Sequence, residues 1–185
     1  MTKVPSLAEA SITKRFISRW SERYDMLAGA DDLSKEADLL NWLDSLGDAR
    51  YLDKDHFVEL CMWKSPRQKS RYESNGSPLV EKATRLAFDL DEEILKLYVL
   101  MALEGVGVPV ASTILHFLQP EGFAIFDVRA RGTLLGAGLW HRRKGDQSVA
   151  AWIEYLAIMR RLAVRHRVSL RSLDKALFAY DKWGG

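Results

Sequence analysis

Apolar side chains recur in this chain at steps of three and four residues, and nowhere alternate in twos for long enough to build a sheet. Ile12, Phe16, Trp20, Tyr24 and Leu27 line one helix face. Leu39, Leu40, Leu43 and Leu46 line a second, which stops at Gly47. "DHFVELCMW" (55–63) reads as a third helix and runs into a loop, "KSPRQKSRYESNG" (64–76). Ser77 and Pro78 read as an N-cap followed by proline at the first helical position. They open a helix with the stripe Leu79, Val80, Ala83, Leu86, Ala87 and Leu90. Asp91, Glu92 and Glu93 begin the next helix, where its dipole favours acids. Its body, "EEILKLYVLMAL" (92–103), is apolar almost all round and is predicted at the centre of the fold. "VPVASTILHFL" (108–118) follows, ended by "QPEGF". "AIFDV" (124–128) is a short extended or loop segment, and two final helices occupy 148–166 and 169–183. The expectation is an all-α fold.

The 185 residues suffice for one compact domain or for two small helical lobes with a cleft between them. Cys61 is the only cysteine, which excludes an internal disulfide, a cysteine-based zinc site and a four-cysteine iron–sulfur cluster. The histidines show no metal-ligand spacing, and no Walker loop, dinucleotide fingerprint or Ser-His-Asp set is evident. His116, inside an apolar helix, reads as a core histidine. No apolar stretch would span a bilayer and the N-terminus lacks a signal-peptide core, so a cytoplasmic location without membrane contact is predicted. The net charge of +2 conceals a division. Residues 1–127 hold 15 Lys and Arg against 21 Asp and Glu, whereas residues 128–185 hold 12 against 4. That asymmetry suits a basic face for a polyanion, or a solvated helix surface.

The interruption at "LEGVGVPVA" (103–111) joins two apolar helices through Gly105, Val106 and Gly107. Glycines here permit a tight turn and close approach of another backbone. The first amides of the following helix and its positive dipole end suit a phosphate. Val106 would pin the two helices. A plain αα-hairpin with a glycine cap is the other reading of the same residues.

Asp127 lies twenty residues beyond Gly107, after a loop containing Pro120 and Gly122. In this order of hairpin, Gly/Pro loop and aspartate, residues 91–135 resemble the helix-hairpin-helix DNA glycosylase superfamily, with the hairpin itself spanning 91–118. The resemblance implies a helical glycosylase-like fold over residues 1–185. It also implies binding of double-stranded DNA containing a damaged or modified base, and Asp127 as the catalytic carboxylate. Lyase-type members place a lysine two residues after the second hairpin glycine. Pro109 stands there in this chain, so a monofunctional glycosylase without strand cleavage is expected. No cofactor is required, although family members often hold a monovalent cation on the hairpin carbonyls. The Thr-His pair that often follows the family's aspartate is replaced by Val128-Arg129.

Breaking an N-glycosidic bond builds positive charge on the sugar, which a fixed carboxylate stabilises while orienting water. Asp is also well suited to cap the helix that begins at Val128, a role compatible with catalysis. The base must be extruded before its sugar is reached. "WKSPRQKSR" (63–71) is the candidate strand grip: Lys64, Arg67, Lys69 and Arg71 for the backbone, with Trp63, Ser65 and Pro66 at the base pocket or wedge. A solvated loop after a core tryptophan is the alternative. Arg129 and Arg131 are candidate phosphate contacts or ordinary surface arginines, and "WHRRKG" (140–145) is a second basic turn. Two other functions fit the same residues: a non-catalytic helix-hairpin-helix DNA-binding protein, and a helical interaction protein whose basic C-terminal face meets an acidic partner.

Overall fold

The computed structural model describes residues 11–184, and among these the regular structure is helical, with no strand. The chain divides into two compact units. One is formed by residues 29–123, the other by residues 11–28 together with residues 124–184.

In the discontinuous unit, α1 (Lys14–Leu27) packs along α10 (Leu170–Trp183), which also packs on α8 (Val128–Gly136) and α9 (Val149–His166). Thr13, Ser148 and Ser169 cap α1, α9 and α10 by accepting backbone N–H bonds from the first turn. α1 buries Ile17, Trp20 and Tyr24, while Leu27 from the predicted stripe is 47% exposed. Phe126, Trp140, Trp152, Tyr155, Met159, Leu173 and Leu177 form the core of this unit. Residues 124–127 have no regular structure, with Ala124, Ile125 and Phe126 buried, and Val128 already begins α8.

The second unit contains α2 (Ala30–Ser45), α3 (Lys54–Lys64), a 3-10 turn (Pro66–Gln68), α4 (Lys69–Ser74), α5 (Ser77–Asp89), α6 (Glu93–Met101) and α7 (Val108–Leu118). Its centre is α7, which is buried along its whole length except at Pro109. The expectation that α6 would lie at the centre is therefore corrected: Ile94, Leu95 and Tyr98 are exposed. Both helices are mostly apolar, and α7 takes the interior because its small residues Ala111, Ser112 and Thr113 let neighbours approach closely. The stripe predicted for α5 is also shifted. Val80, Ala83, Thr84 and Ala87 are buried, whereas Leu79 and Leu86 are exposed. Gly76, not Ser77, is the N-cap, which moves Pro78 to the second helical position.

Lys96 is the polar residue in this unit that the apolar pattern concealed. It is buried on α6, and its ammonium donates to the carbonyls of Ala87 and Phe88 and to Gln119 Oε1, at 3.0, 2.8 and 2.9 Å. It thereby satisfies carbonyls at the C-terminus of α5, where a cation is also favoured by the dipole.

Cys61 is fully buried on α3, and burial pushes its thiol well above the ordinary range. A thiol held protonated is a poor nucleophile. Iodoacetamide is expected to label native protein at least about tenfold more slowly than urea-unfolded protein. Equal rates, followed by mass spectrometry, would show that α3 opens readily.

Candidate functional site

The hairpin is assembled by α6, α7 and the segment after α3. Gly105 has φ +83°, a conformation that side chains disfavour, and a Cβ there would lie 2.9 Å from the Tyr72 ring and 3.1 Å from Arg71 Cβ. Gly107 is different. It is the N-cap of α7 in extended backbone, and a Cβ would meet only Pro109 Cδ, at 3.9 Å. The turn itself therefore requires one glycine, not two. Val106 is buried between them, and its N–H donates to Leu103 O.

The predicted loop 64–76 is largely helical and packs under the hairpin. The Tyr72 hydroxyl donates to Ser65 O at 3.1 Å, and Arg71 pairs with Glu104 at 3.2 Å. Asn75 is the residue that sequence reasoning missed here. It is 3% exposed, accepts from Glu104 N at 2.8 Å and donates to Glu104 O at 3.1 Å. Its amide also lies within bonding distance of Arg71 O and Tyr72 O. Preceding Gly76, it looked like an ordinary turn residue. Asn75→Ala is expected to cost about 1–2 kcal/mol in chemical denaturation, because it leaves the part-buried Glu104 N–H and carbonyl without their Asn75 partner. A loss below about 0.5 kcal/mol would mean that water replaces these bonds.

Of the candidate grip residues, Arg67 and Pro66 are exposed, and Lys64 and Ser65 are half-buried. Lys69 pairs with Glu73 at 3.6 Å. Trp63 is half-buried, edge-on to Phe117 with ring centroids 6.0 Å apart. The expected free basic loop is thus a short helix, with Lys69 and Arg71 partly neutralised by acids.

Asp127 belongs to the other unit. It is half-buried and caps α8, with Oδ1 accepting from Arg129 N at 2.8 Å. The positive end of α8 favours a negative charge at this place. Arg129 lies near Asp181, at 3.5 Å, and over the Phe178 ring.

Arg131 is corrected as a phosphate contact. It is 1% exposed, with its guanidinium over Phe126, Nε donating to Asp127 O and Nη1 to Asp146 O. Burial pulls its pKa down, against the nearby Tyr155, Asp127 and Asp146. Its role is to hold the start of α8 to the segment before α9. The basic turn 140–145 is also partly neutralised. Trp140 is buried, Arg142 pairs with Glu154 and Asp146, and Lys144 pairs with Asp181 at 2.8 Å. His116 is buried, its Nδ1 2.7 Å from Phe123 O.

The charge division follows the units. Residues 29–123, which include the hairpin, carry 10 Lys and Arg against 17 Asp and Glu, net −7. Residues 11–28 and 124–184 carry 16 against 7, net +9. Among the described residues no group of histidine, cysteine and carboxylate side chains is arranged to hold a metal ion, and no helix is long and apolar enough to cross a membrane.

No family model, curated protein or solved structure matches this chain. The functional reading therefore rests on its own residues and on the motif order around the hairpin.

Proposed function

We propose that this protein is a monofunctional DNA N-glycosylase, of the helix-hairpin-helix kind, acting on a damaged or modified base in duplex DNA. The observation that carries the reading is Asp127, a half-buried carboxylate held by the first turn of α8 in the unit of net charge +9. In the reaction the C1′–N bond breaks, and its electron pair leaves with the base. Asp127 stabilises the cationic sugar and accepts the proton of the water that adds to C1′. The departing base takes up a proton from solvent. Support also comes from Gly107, which nothing among the described residues requires to be glycine, and from Pro109, which cannot form a Schiff base. The hairpin carbonyls are where a monovalent cation would sit.

One observation favours a second reading. Asp127 already serves as an N-cap, a role that explains an aspartate there by itself. On that reading the protein binds duplex without releasing a base.

The test is incubation with duplexes carrying a panel of alkylated, deaminated, oxidised and hypermodified bases, followed by alkali. Alkali-dependent strand breaks are the expected result. Breaks without alkali would contradict the reading of Pro109. No release across the panel with duplex binding intact would favour the non-catalytic reading.

A further inference from the structure

The charge division along the sequence placed α1 in the acidic part of the chain, and the structure gives it to the basic unit. Its inner face, Ile17, Trp20 and Tyr24, is buried. Its outer face carries Arg15, Arg19 and Arg23, all exposed, at steps of four residues. At 1.5 Å per residue these form one ridge roughly 12 Å long. Like charges at this spacing repel and weaken a helix. Even so, no carboxylate among the described residues pairs with any of the three. The two acids of α1 are engaged elsewhere: Glu22 accepts from Ser18 Oγ at 3.0 Å, and Asp25 holds Lys175 at 2.9 Å. Arg19 and Arg23 lie 5.9 and 5.2 Å from the Trp20 ring, which steadies their stems and leaves their charge in place.

We propose that the Arg15–Arg19–Arg23 ridge is a contact surface for the phosphate backbone of duplex DNA. It supplies sequence-independent attraction that the hairpin's own unit, at −7, cannot. The proposal rests on the DNA reading above for the identity of the polyanion. A regular row of guanidinium forks matches a regularly charged backbone. A lipid surface fits less well, because α1 buries Ile17, Trp20 and Tyr24 within the fold and exposes large apolar side chains only at its last two residues, Met26 and Leu27, beyond the arginine ridge.

The experiment is fluorescence-anisotropy titration of the full chain with an undamaged duplex of about 20 base pairs, from about 50 to 200 mM salt. The triple variant Arg15→Gln, Arg19→Gln, Arg23→Gln is expected to flatten the slope of log affinity against log salt by about 2–3, near 0.9 for each phosphate that the protein no longer neutralises. The same three positions changed to Lys should retain the slope. A control that removes Lys35, Lys54 and Lys82 from the acidic unit, each changed to Gln, should also retain it. Melting followed by circular dichroism confirms folding of each variant.

An unchanged slope in the Arg→Gln triple would overturn the proposal, as would an equal flattening in the control. Failure of the wild type to bind duplex would do the same, as would preferential binding to phosphatidylserine vesicles or to an acidic polypeptide. The two readings fail separately. A slope that falls as expected without base release by the wild type removes the glycosylase and keeps the ridge. Intact base release with an unaltered slope does the reverse.

Discussion

Asp127→Asn is expected to leave the protein folded and to reduce base release by about 10²–10⁴-fold. The two parts of this result come from different functions of one side chain. Asparagine caps a helix about as well as aspartate, so the bond from Arg129 N can be kept and the melting temperature should barely move. The variant cannot supply the negative charge that stabilises a cationic sugar, nor accept a proton from water. Asp127→Ala is the informative contrast, since it also removes the cap and should cost about 1 kcal/mol of stability. Single-turnover release at saturating enzyme, on whichever duplex the panel identifies, separates chemistry from binding. Equal release by wild type and Asp127→Asn would remove Asp127 from the reaction. Duplex affinity should be unchanged or slightly higher in the variant, because a negative charge has been removed from the surface proposed to meet DNA.

Gly105→Val is expected to destabilise the protein by roughly 3–5 kcal/mol, combining left-handed backbone strain with overpacking against Tyr72. Relief by rotation is closed off, because Tyr72 is fully buried and its hydroxyl is bonded to Ser65 O. Gly107→Val should cost no more than about 1 kcal/mol, since its backbone is extended and its Cβ would make only an ordinary contact with Pro109 Cδ, at 3.9 Å. The functional expectation is the reverse of the structural one. In a folded Gly107→Val protein, duplex affinity should fall about tenfold if the hairpin binds DNA as proposed, because the added side chain would then stand between a phosphate and the N-terminus of α7. Urea denaturation and anisotropy titration of the same two variants measure both effects. Unchanged duplex affinity in Gly107→Val would take the hairpin out of the DNA interface.

The helices were legible because each signals itself locally. Ser148 and Ser169 stand one residue before α9 and α10, and Gly47 ends the second apolar run. The candidate site was legible in part. The spacing from Gly107 to Asp127 singles out both residues, and Asp127 does stand at a helix start. Arg131 and Arg129 looked alike, two residues apart on one short helix. One is enclosed by Phe126, Trp140 and two backbone carbonyls, and the other is half-exposed. Asn75 and Lys96 gave no sign of their roles, because their partners lie on other segments of the unit: Glu104 for one, Ala87, Phe88 and Gln119 for the other.

The sequence alone determined that the chain is helical and where most of its helices begin, because periodicity and capping act within a turn or two of chain. It also determined the hairpin break and the position of Asp127. Only the tertiary structure decided that α7 rather than α6 fills the interior, that one hairpin glycine is sterically required and the other is not, and that α1 joins the basic unit. These depend on contacts between residues far apart in the chain, such as Tyr72 against Gly105 and Asp25 with Lys175. A pattern read along one helix shows which face is apolar. Which neighbour covers that face is decided by close packing among all the helices of the unit.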